Sequence, residues 1–343
     1  MMPIHADTHG LLILPRLQVQ NANAISGPFT WGFPSPTAFT GFAHALQRRL
    51  MAAPEVRESG EFQRGFGGIG IICHDFAHQT SQPARRHHRV FCLSRHPVGR
   101  NGQPTALIEE GRAHFEITLV IAVRDELSQY RGQRLTEIAQ QHVQGMRLAG
   151  GSLLPRRSGA RYDAHWLLVP DTMEERTKQF RRLRRQWLPG FVLVQREDRL
   201  AQRLAELRVE QPDATALDAL LDLCRLNIEP VGPNPDKPSE TRWELRKRPG
   251  WLVPIPIGYA GISPCYPAGH VRNARDPTVP FQFVESLYSL GEWIAPSRLN
   301  DLQHLFWYPD TDTERGLYRC INRYSETLPT AVPDGTSEEL ING

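Results

Sequence analysis

The dipeptide Ser35-Pro36 constrains the N-terminal half of this chain more than any other feature. A hydroxyl that accepts free N–H groups, followed by a proline whose φ is already helical, starts a helix and does not continue a strand. Downstream, Phe39, Phe42, Ala43, Leu46 and Leu50 repeat at helical spacing, which predicts a helix to about Met51. Upstream, Leu11 to Gln20 begins wholly apolar. It then alternates, with Leu17 and Val19 against Arg16, Gln18 and Gln20, the pattern of a half-buried strand. The segment Asn21 to Pro34 reads as a loop.

Further along, Gly68 to Cys73 and Ala113 to Val123 read as strands. In the latter, Arg112, His114, Glu116 and Thr118 occupy one face and Phe115, Ile117 and Leu119 the other. Gln133 to Leu148 reads as a second helix ended by Gly150-Gly151. The last strand is expected from Phe191 to Gln195 or from the stretch around Leu153. Strand, helix, strand, strand, helix, strand is the ferredoxin-like (RRM-like) βαββαβ arrangement, so the expected class is α+β. Residues 79–111 are rich in Pro, Gly and Arg with little periodicity and read as an inserted loop or hairpin.

The second half is less regular. Helices are expected at Thr172 to Trp187, Asp198 to Arg208, Ala216 to Leu226, Val284 to Ile294 and Ser297 to Phe306. The proline-rich Glu229 to Ser239 reads as an exposed linker, and Trp251 to Tyr259 as a strand at a sheet edge. With 343 residues, about two domains are expected. These are an RNA-binding domain over 1–200 with its insertion at about 80–111, and a mixed region over 201–325. A frayed tail is expected over 326–343.

Composition excludes more than it assigns. Hydrophobic residues at 40% and charged residues at 22% are ordinary globular values, which excludes a mainly disordered or fibrous chain. Five scattered cysteines without a Cys-x-x-Cys pair argue for reduced thiols and against a zinc site. No signal peptide or membrane span is read, so a soluble cytoplasmic protein is expected. Of the 40 basic residues only Lys178, Lys237 and Lys247 are lysines. Arginine binds phosphate as a planar fork, although a GC-rich coding bias gives the same excess.

Several segments admit both a binding and a structural role. The amides of Gln20-Asn21-Ala22-Asn23 can read unstacked bases or brace a turn. Trp31 and Phe33 beside a helix start can stack on bases or pack in a core. A glycine at position 41 of a helix suggests close approach by another backbone. Lys178, Arg181, Arg182 and Arg185 share the outer face of an amphipathic helix, where they meet phosphate or only solvent. Arg147 to Ser152 offers a glycine-rich turn without the lysine of a phosphate-binding loop. His87-His88 and His74/His78 can be bases, ligands or surface residues. His-Glu-x-x-His and Gly-x-Ser-x-Gly are both absent.

Leu11-Leu12-Ile13-Leu14-Pro15-Arg16-Leu17, Gln20-Asn21-Ala22-Asn23-Ala24-Ile25-Ser26 and Trp31-Gly32-Phe33-Pro34-Ser35-Pro36 together form a run that closely resembles one family. Phe39-Thr40-Gly41-Phe42, Glu110-Gly111-Arg112-Ala113-His114 and Met146-Arg147-Leu148-Ala149-Gly150-Gly151-Ser152 extend it. Pro249-Gly250-Trp251-Leu252-Val253-Pro254-Ile255-Pro256 and Leu290-Gly291-Glu292-Trp293 carry it toward the C-terminus. The family comprises the second Csy subunits of the type I-F CRISPR surveillance complex, its Cas-five-like members.

The resemblance implies a non-catalytic subunit with a ferredoxin-like core and a thumb-like insertion. It implies that the subunit holds the 5′ handle of the crRNA, pairs with the large Csy subunit and contacts the Csy backbone subunit. Target DNA would be reached only through the complex, and no cofactor or metal is implied. Arg16, Asn21, Asn23, Trp31, Phe33 and Ser35 are then expected to read or brace the handle. Arg112, His114, Arg147, Gly150 and Gly151 are expected to line the same face, with Arg85, Arg86 and Arg89 on the thumb. The rival expectation is a metal-independent endoribonuclease that matures the guide, with His44 or His114 as its base.

Overall fold

A computed structural model describes residues 7–84, 88–95, 98–99, 101–105, 107–235, 237–246 and 250–328. Among the described residues, eleven strands build one sheet. They are β1 (Gly10–Asn23), β2 (Phe66–His78), β3 (Arg112–Val123), β4 (Arg147–Leu148), β5 (Gly151–Leu153) and β6 (His165–Leu168), followed by β7 (Phe191–Gln195), β8 (Trp251–Gly261), β9 (Val284–Ile294), β10 (Phe306–Asp312) and β11 (Leu317–Asn322). The helices are α1 (Pro36–Ala52), α2 (Pro54–Ser59), α3 (Gln129–Gln144), α4 (Met173–Gln186), α5 (Glu197–Glu210) and α6 (Ala216–Cys224). Among the described residues no helix is long and apolar enough to cross a membrane.

In the N-terminal half, β3 lies between β1 and β2, and β5 and β6 pair with the outer side of β1, all antiparallel. On its other edge β2 meets both β7 and β10. The pairs β7–β9, β9–β8, β8–β11 and β11–β10 then complete a closed ring of six strands. The fold is therefore mixed α+β around a large antiparallel sheet.

Alternation along β3 creates two cores. Phe115, Ile117, Leu119, Ile121 and Val123 face α1 and α3 with Phe39, Leu46, Leu135 and Ile138. Val120 and Ala122 face the opposite way, under Phe180, Leu183 and Trp187 of the α4 region. Ser35 caps α1 as expected and also donates its hydroxyl to the Pro256 carbonyl at 2.6 Å, tying the helix start to β8. Trp166 fills the space left by two glycines, since a Cβ on Gly10 or Gly132 would lie 2.0 Å from its ring. Asp125, 4% exposed, accepts the backbone N–H groups of Gln63, Arg64 and Gly65, each at 2.8 Å.

Several expectations are corrected. The segment after Asn21 stays extended, with β1 running to Asn23 and a small hairpin pairing Ile25–Gly27 with Thr30–Trp31. The second helix starts earlier, capped by Ser128, and ends at Gln144. Arg147 to Leu153 then turns back as the β4–β5 hairpin, with Gly150 in its turn, so the paired glycines do not end the helix. Met146 and Leu148 are buried, and their apolar spacing imitates a longer helix. Val284 to Ile294 is the central strand β9, not a helix. Partners on both sides bury its C-terminal half on both faces, which removes the alternation that marks a strand.

Ser297 to Phe306 is likewise not one helix but two short 3₁₀ turns leading into β10. Among its described residues the expected linker over 229–239 belongs to a hairpin, with Ile228–Asn234 against Lys237–Leu245. A Cβ on Gly41 would meet nothing within 4 Å, so no other backbone approaches it. The insertion is a hairpin among its described residues, with Thr80–Ser81 against Val90–Phe91 and Leu93–Arg95 against Leu107–Glu109. Arg85, Arg86 and His87 lie outside the described residues, as does the tail from residue 329.

Candidate nucleic-acid interface

The face of β3 that carries Val120 and Ala122 under α4 turns polar at Thr118 and remains so through Glu116, His114 and Arg112. α4 ends where this change occurs, and the carbonyls that follow it face the polar row. Pro189 accepts from His74 Nδ1 at 2.7 Å, and Leu188 accepts from Arg16 at 3.4 Å. A partly exposed polar strip thus lies beside a packed apolar one on the same sheet face, buried at Thr118 and more open toward Arg112.

Two bulges in β1 shape this strip. The register with β3 shifts between Leu14 and Leu17 and again between Val19 and Ala22. Arg16 (φ 53°) and Asn21 (φ 57°) occupy these shifts in the left-handed conformation. Side chains other than Gly, Asn and Asp rarely adopt it. At the first bulge the Arg16 N–H donates to Thr118 Oγ1 at 3.1 Å, and its guanidinium meets Glu116 at 2.8 Å. Because a carbonyl only accepts, His74 carries its proton on Nδ1 toward Pro189. Nε2 therefore accepts from the Thr118 hydroxyl at 2.8 Å. Burial pushes the His74 pKa down, which favours this neutral ring.

At the second bulge the Asn21 N–H donates to His114 Nδ1 at 3.3 Å. A backbone N–H can only donate, so the proton of the neutral ring sits on Nε2. The side-chain amide of Gln79 lies 2.7 Å from Nε2 and 2.5 Å from the side-chain amide of Asn21. A half-turn of each amide sets the Gln79 oxygen toward His114 and the Asn21 nitrogen toward Gln79. Both ring nitrogens of His114 are then engaged. Arg112 lies beside them, paired with Glu110 at 2.8 Å and 3.5 Å from the Asn21 carbonyl. The Asn23 side chain closes on Ile25, while its N–H donates to Ala149 at 2.8 Å and joins this corner to the glycine hairpin.

The hairpin presses on β1 through Gly151, where a Cβ would stand 2.8 Å from both Ala22 N and Gln20 O. Ala149 (φ 49°) and Gly150 (φ 75°) make the turn, and a Cβ on Gly150 would meet nothing within 4 Å. Arg147 is exposed on this hairpin. The turn therefore offers open backbone next to Asn21, Asn23 and His114.

The structure thus brings together Asn21, Asn23, Arg112, His114, Gly150 and Gly151, with Arg16 in an adjoining cluster. It does not bring Phe33 or Ser35 there. Phe33 packs among Phe39, Phe76, Phe115 and Trp293 at centroid distances of 4.8–5.7 Å, and Ser35 is a buried cap. Trp31, 66% exposed, stands edge-on to His78 and Phe91. His78 pairs in register with Ala113, which places this aromatic group on the α1 side of the sheet, opposite His114. Arg89 is exposed on the insertion.

Sequence reasoning missed Gln79. Gln79 follows directly on β2, and only its register with Arg112 reveals its place. His44 is exposed on α1 and has no side-chain partner among the described residues. Among the described residues no group of three or more His, Cys, Asp or Glu residues could hold a metal ion.

Comparison with known proteins finds sequence similarity over nearly the whole chain. The family described as CRISPR-associated protein (Cas_Csy2) matches residues 12–320. A curated protein of Pseudomonas aeruginosa (strain UCBPP-PA14), "CRISPR-associated protein Csy2", is 48% identical over 319 residues, covering 91% of this chain and 95% of that protein.

Proposed function

This chain belongs to the Csy2 family of CRISPR-associated proteins, and from that membership we propose that it is a non-catalytic subunit of the type I-F CRISPR surveillance complex that binds and caps the 5′ handle of the crRNA. One observation carries the reading. At the ends of β1 and β3, Asn21, Gln79 and His114 are locked together beside Arg112 and the open turn at Gly150. The locked imidazole orients the two amides, whose remaining donors and acceptors can hydrogen-bond the edges of unstacked bases, and an open glycine turn admits a sugar-phosphate backbone.

The strand arrangement β6–β1–β3–β2 with α1 and α3 supports a ferredoxin-like core, and the 79–111 hairpin supports a thumb. The domain limits 1–200 and 201–325 belong to the same proposal. So do pairing with the large Csy subunit, contact with the Csy backbone subunit and indirect access to target DNA. Against His114 as the base of a ribonuclease stands the engagement of both its ring nitrogens, since a general base needs a free one.

Crosslinking tests the reading. In the assembled complex, a photoreactive group on the first nucleotides of the guide should attach to this chain near Asn21 and His114. No attachment to the chain would overturn handle binding. Sequence-specific, metal-independent cleavage of repeat RNA, lost in His114→Ala, would overturn the non-catalytic reading.

A further inference from the structure

We infer that Arg157 and Arg161, held on Tyr162 beside the Arg16–Glu116 pair, form a second phosphate subsite for the guide backbone, next to the His114 corner. The inference rests on the RNA-binding reading above and assigns it residues on the connection between β5 and β6.

Glu116 lies between two guanidinium groups, with Arg16 at 2.8 Å from one carboxylate oxygen and Arg157 at 3.0 Å from the other. The carboxylate and Arg16 are nearly buried, with side chains 14% and 10% exposed, whereas Arg157 is 46% exposed. Glu116 therefore acts as a positioning residue: it fixes one edge of Arg157 and leaves the remaining donors facing solvent.

Tyr162 holds the same group as well. The Arg157 guanidinium stands 5.7 Å from the ring centroid and that of Arg161 5.4 Å. Both distances fall within cation–π range. A ring already covered by cations serves as their mount, which makes phosphate, not a stacked base, the fitting ligand. Guanidinium forks match phosphate oxygens geometrically. Arg156 contributes nothing further, because it is paired with Asp163. A narrow cleft of about 30 Å³ lined by Arg16, Gln18, Arg157 and Tyr162 is too small to enclose a nucleotide, so the guide would run across it.

The test uses complexes assembled around the guide RNA of the chain's own repeat array, with guide retention measured over a range of salt concentrations. Each phosphate neutralised contributes about 0.7 to the slope of log affinity against log salt for a single strand. The double variant Arg157→Ala/Arg161→Ala should flatten that slope by about 0.7 for one bound phosphate, or about 1.4 where each arginine holds its own, and lower retention at a given salt. Glu116→Gln should flatten it too, although it raises the net charge by one; a steeper slope would overturn the positioning role. Arg57→Ala, on α2 across the sheet, should leave the slope unchanged. If the wild-type guide crosslinks near His114 but the double variant keeps its slope, this subsite is overturned and handle binding stands. If no part of the wild-type chain crosslinks to guide RNA, both fail.

Discussion

Arg16 reaches Glu116 at 2.8 Å only because its own backbone is left-handed, φ 53°, at a bulge in β1. In a regular strand the next residues would keep their register with β3. The Arg16 N–H would then be spent on the ladder instead of on Thr118 Oγ1. A local departure from strand geometry thus aims a charged side chain, and the Asn21 bulge repeats the device for His114.

The Asn21 corner is expected to be sensitive at the backbone as well as at the side chain. Asn21→Gly tolerates the left-handed angle and should fold normally, whereas Asn21→Val should lose about 1–2 kcal/mol in chemical unfolding. His114→Ala removes the acceptor for the Asn21 N–H and should weaken guide retention about tenfold, or ~1.4 kcal/mol. Unchanged retention would count against this corner.

Gly150 and Gly151 should separate cleanly in amide exchange. Gly151→Ala drives a methyl into the Gln20–Ala22 backbone and should cost about 1–3 kcal/mol. It should also speed exchange at Asn23 and Leu154, whose N–H groups bond across this contact to Ala149 and Gln18. Gly150→Ala strains only the turn and should leave those two amides protected.

Glu292 is wholly buried between Arg196 and Arg298 in the ring of strands. Glu292→Ala strands the 6%-exposed Arg196 side chain with Asp198 as its remaining carboxylate partner, so a loss of about 3–5 kcal/mol is expected in urea unfolding. A loss below about 1 kcal/mol would show that the buried pair is energetically idle.

Acid should destabilise the fold through its histidines. Burial lowers the pKa of His74, His78 and His304 from the ordinary 6.5, so below that pH the unfolded chain binds protons that the folded chain refuses. Stability then rises with pH up to about 6.5 and falls progressively as pH drops toward the folded values. Replacing His74 with Asn should flatten the acid side of a stability–pH curve. An unaltered curve would assign that dependence to other groups.

Thiol labelling should sort the five free cysteines by burial. Exposed Cys92 and Cys265 should react with iodoacetamide in the native protein. Cys73, its pKa pushed up to about 12 by burial, and Cys320, raised to about 11, should react only on unfolding. Mass spectrometry of native and denatured samples reads the difference.

Local physics wrote much of this protein into its sequence. The Ser35 cap, the alternation of β3 and the amphipathic α4 each depend on neighbours a few residues away, so periodicity and capping chemistry reveal them. Tertiary structure alone decided β9, which reads as a helix until β7 and β8 bury its C-terminal half on both faces, and the β4–β5 hairpin, which needs the backbone of β1 beneath Gly151. The same division holds at the candidate site. Asn21 and His114 stand out as residue types, but Gln79 joins them across 58 and 35 residues of chain. Such contacts arise from strand register, which is set by how a whole sheet buries its apolar faces and not by any local run of residues.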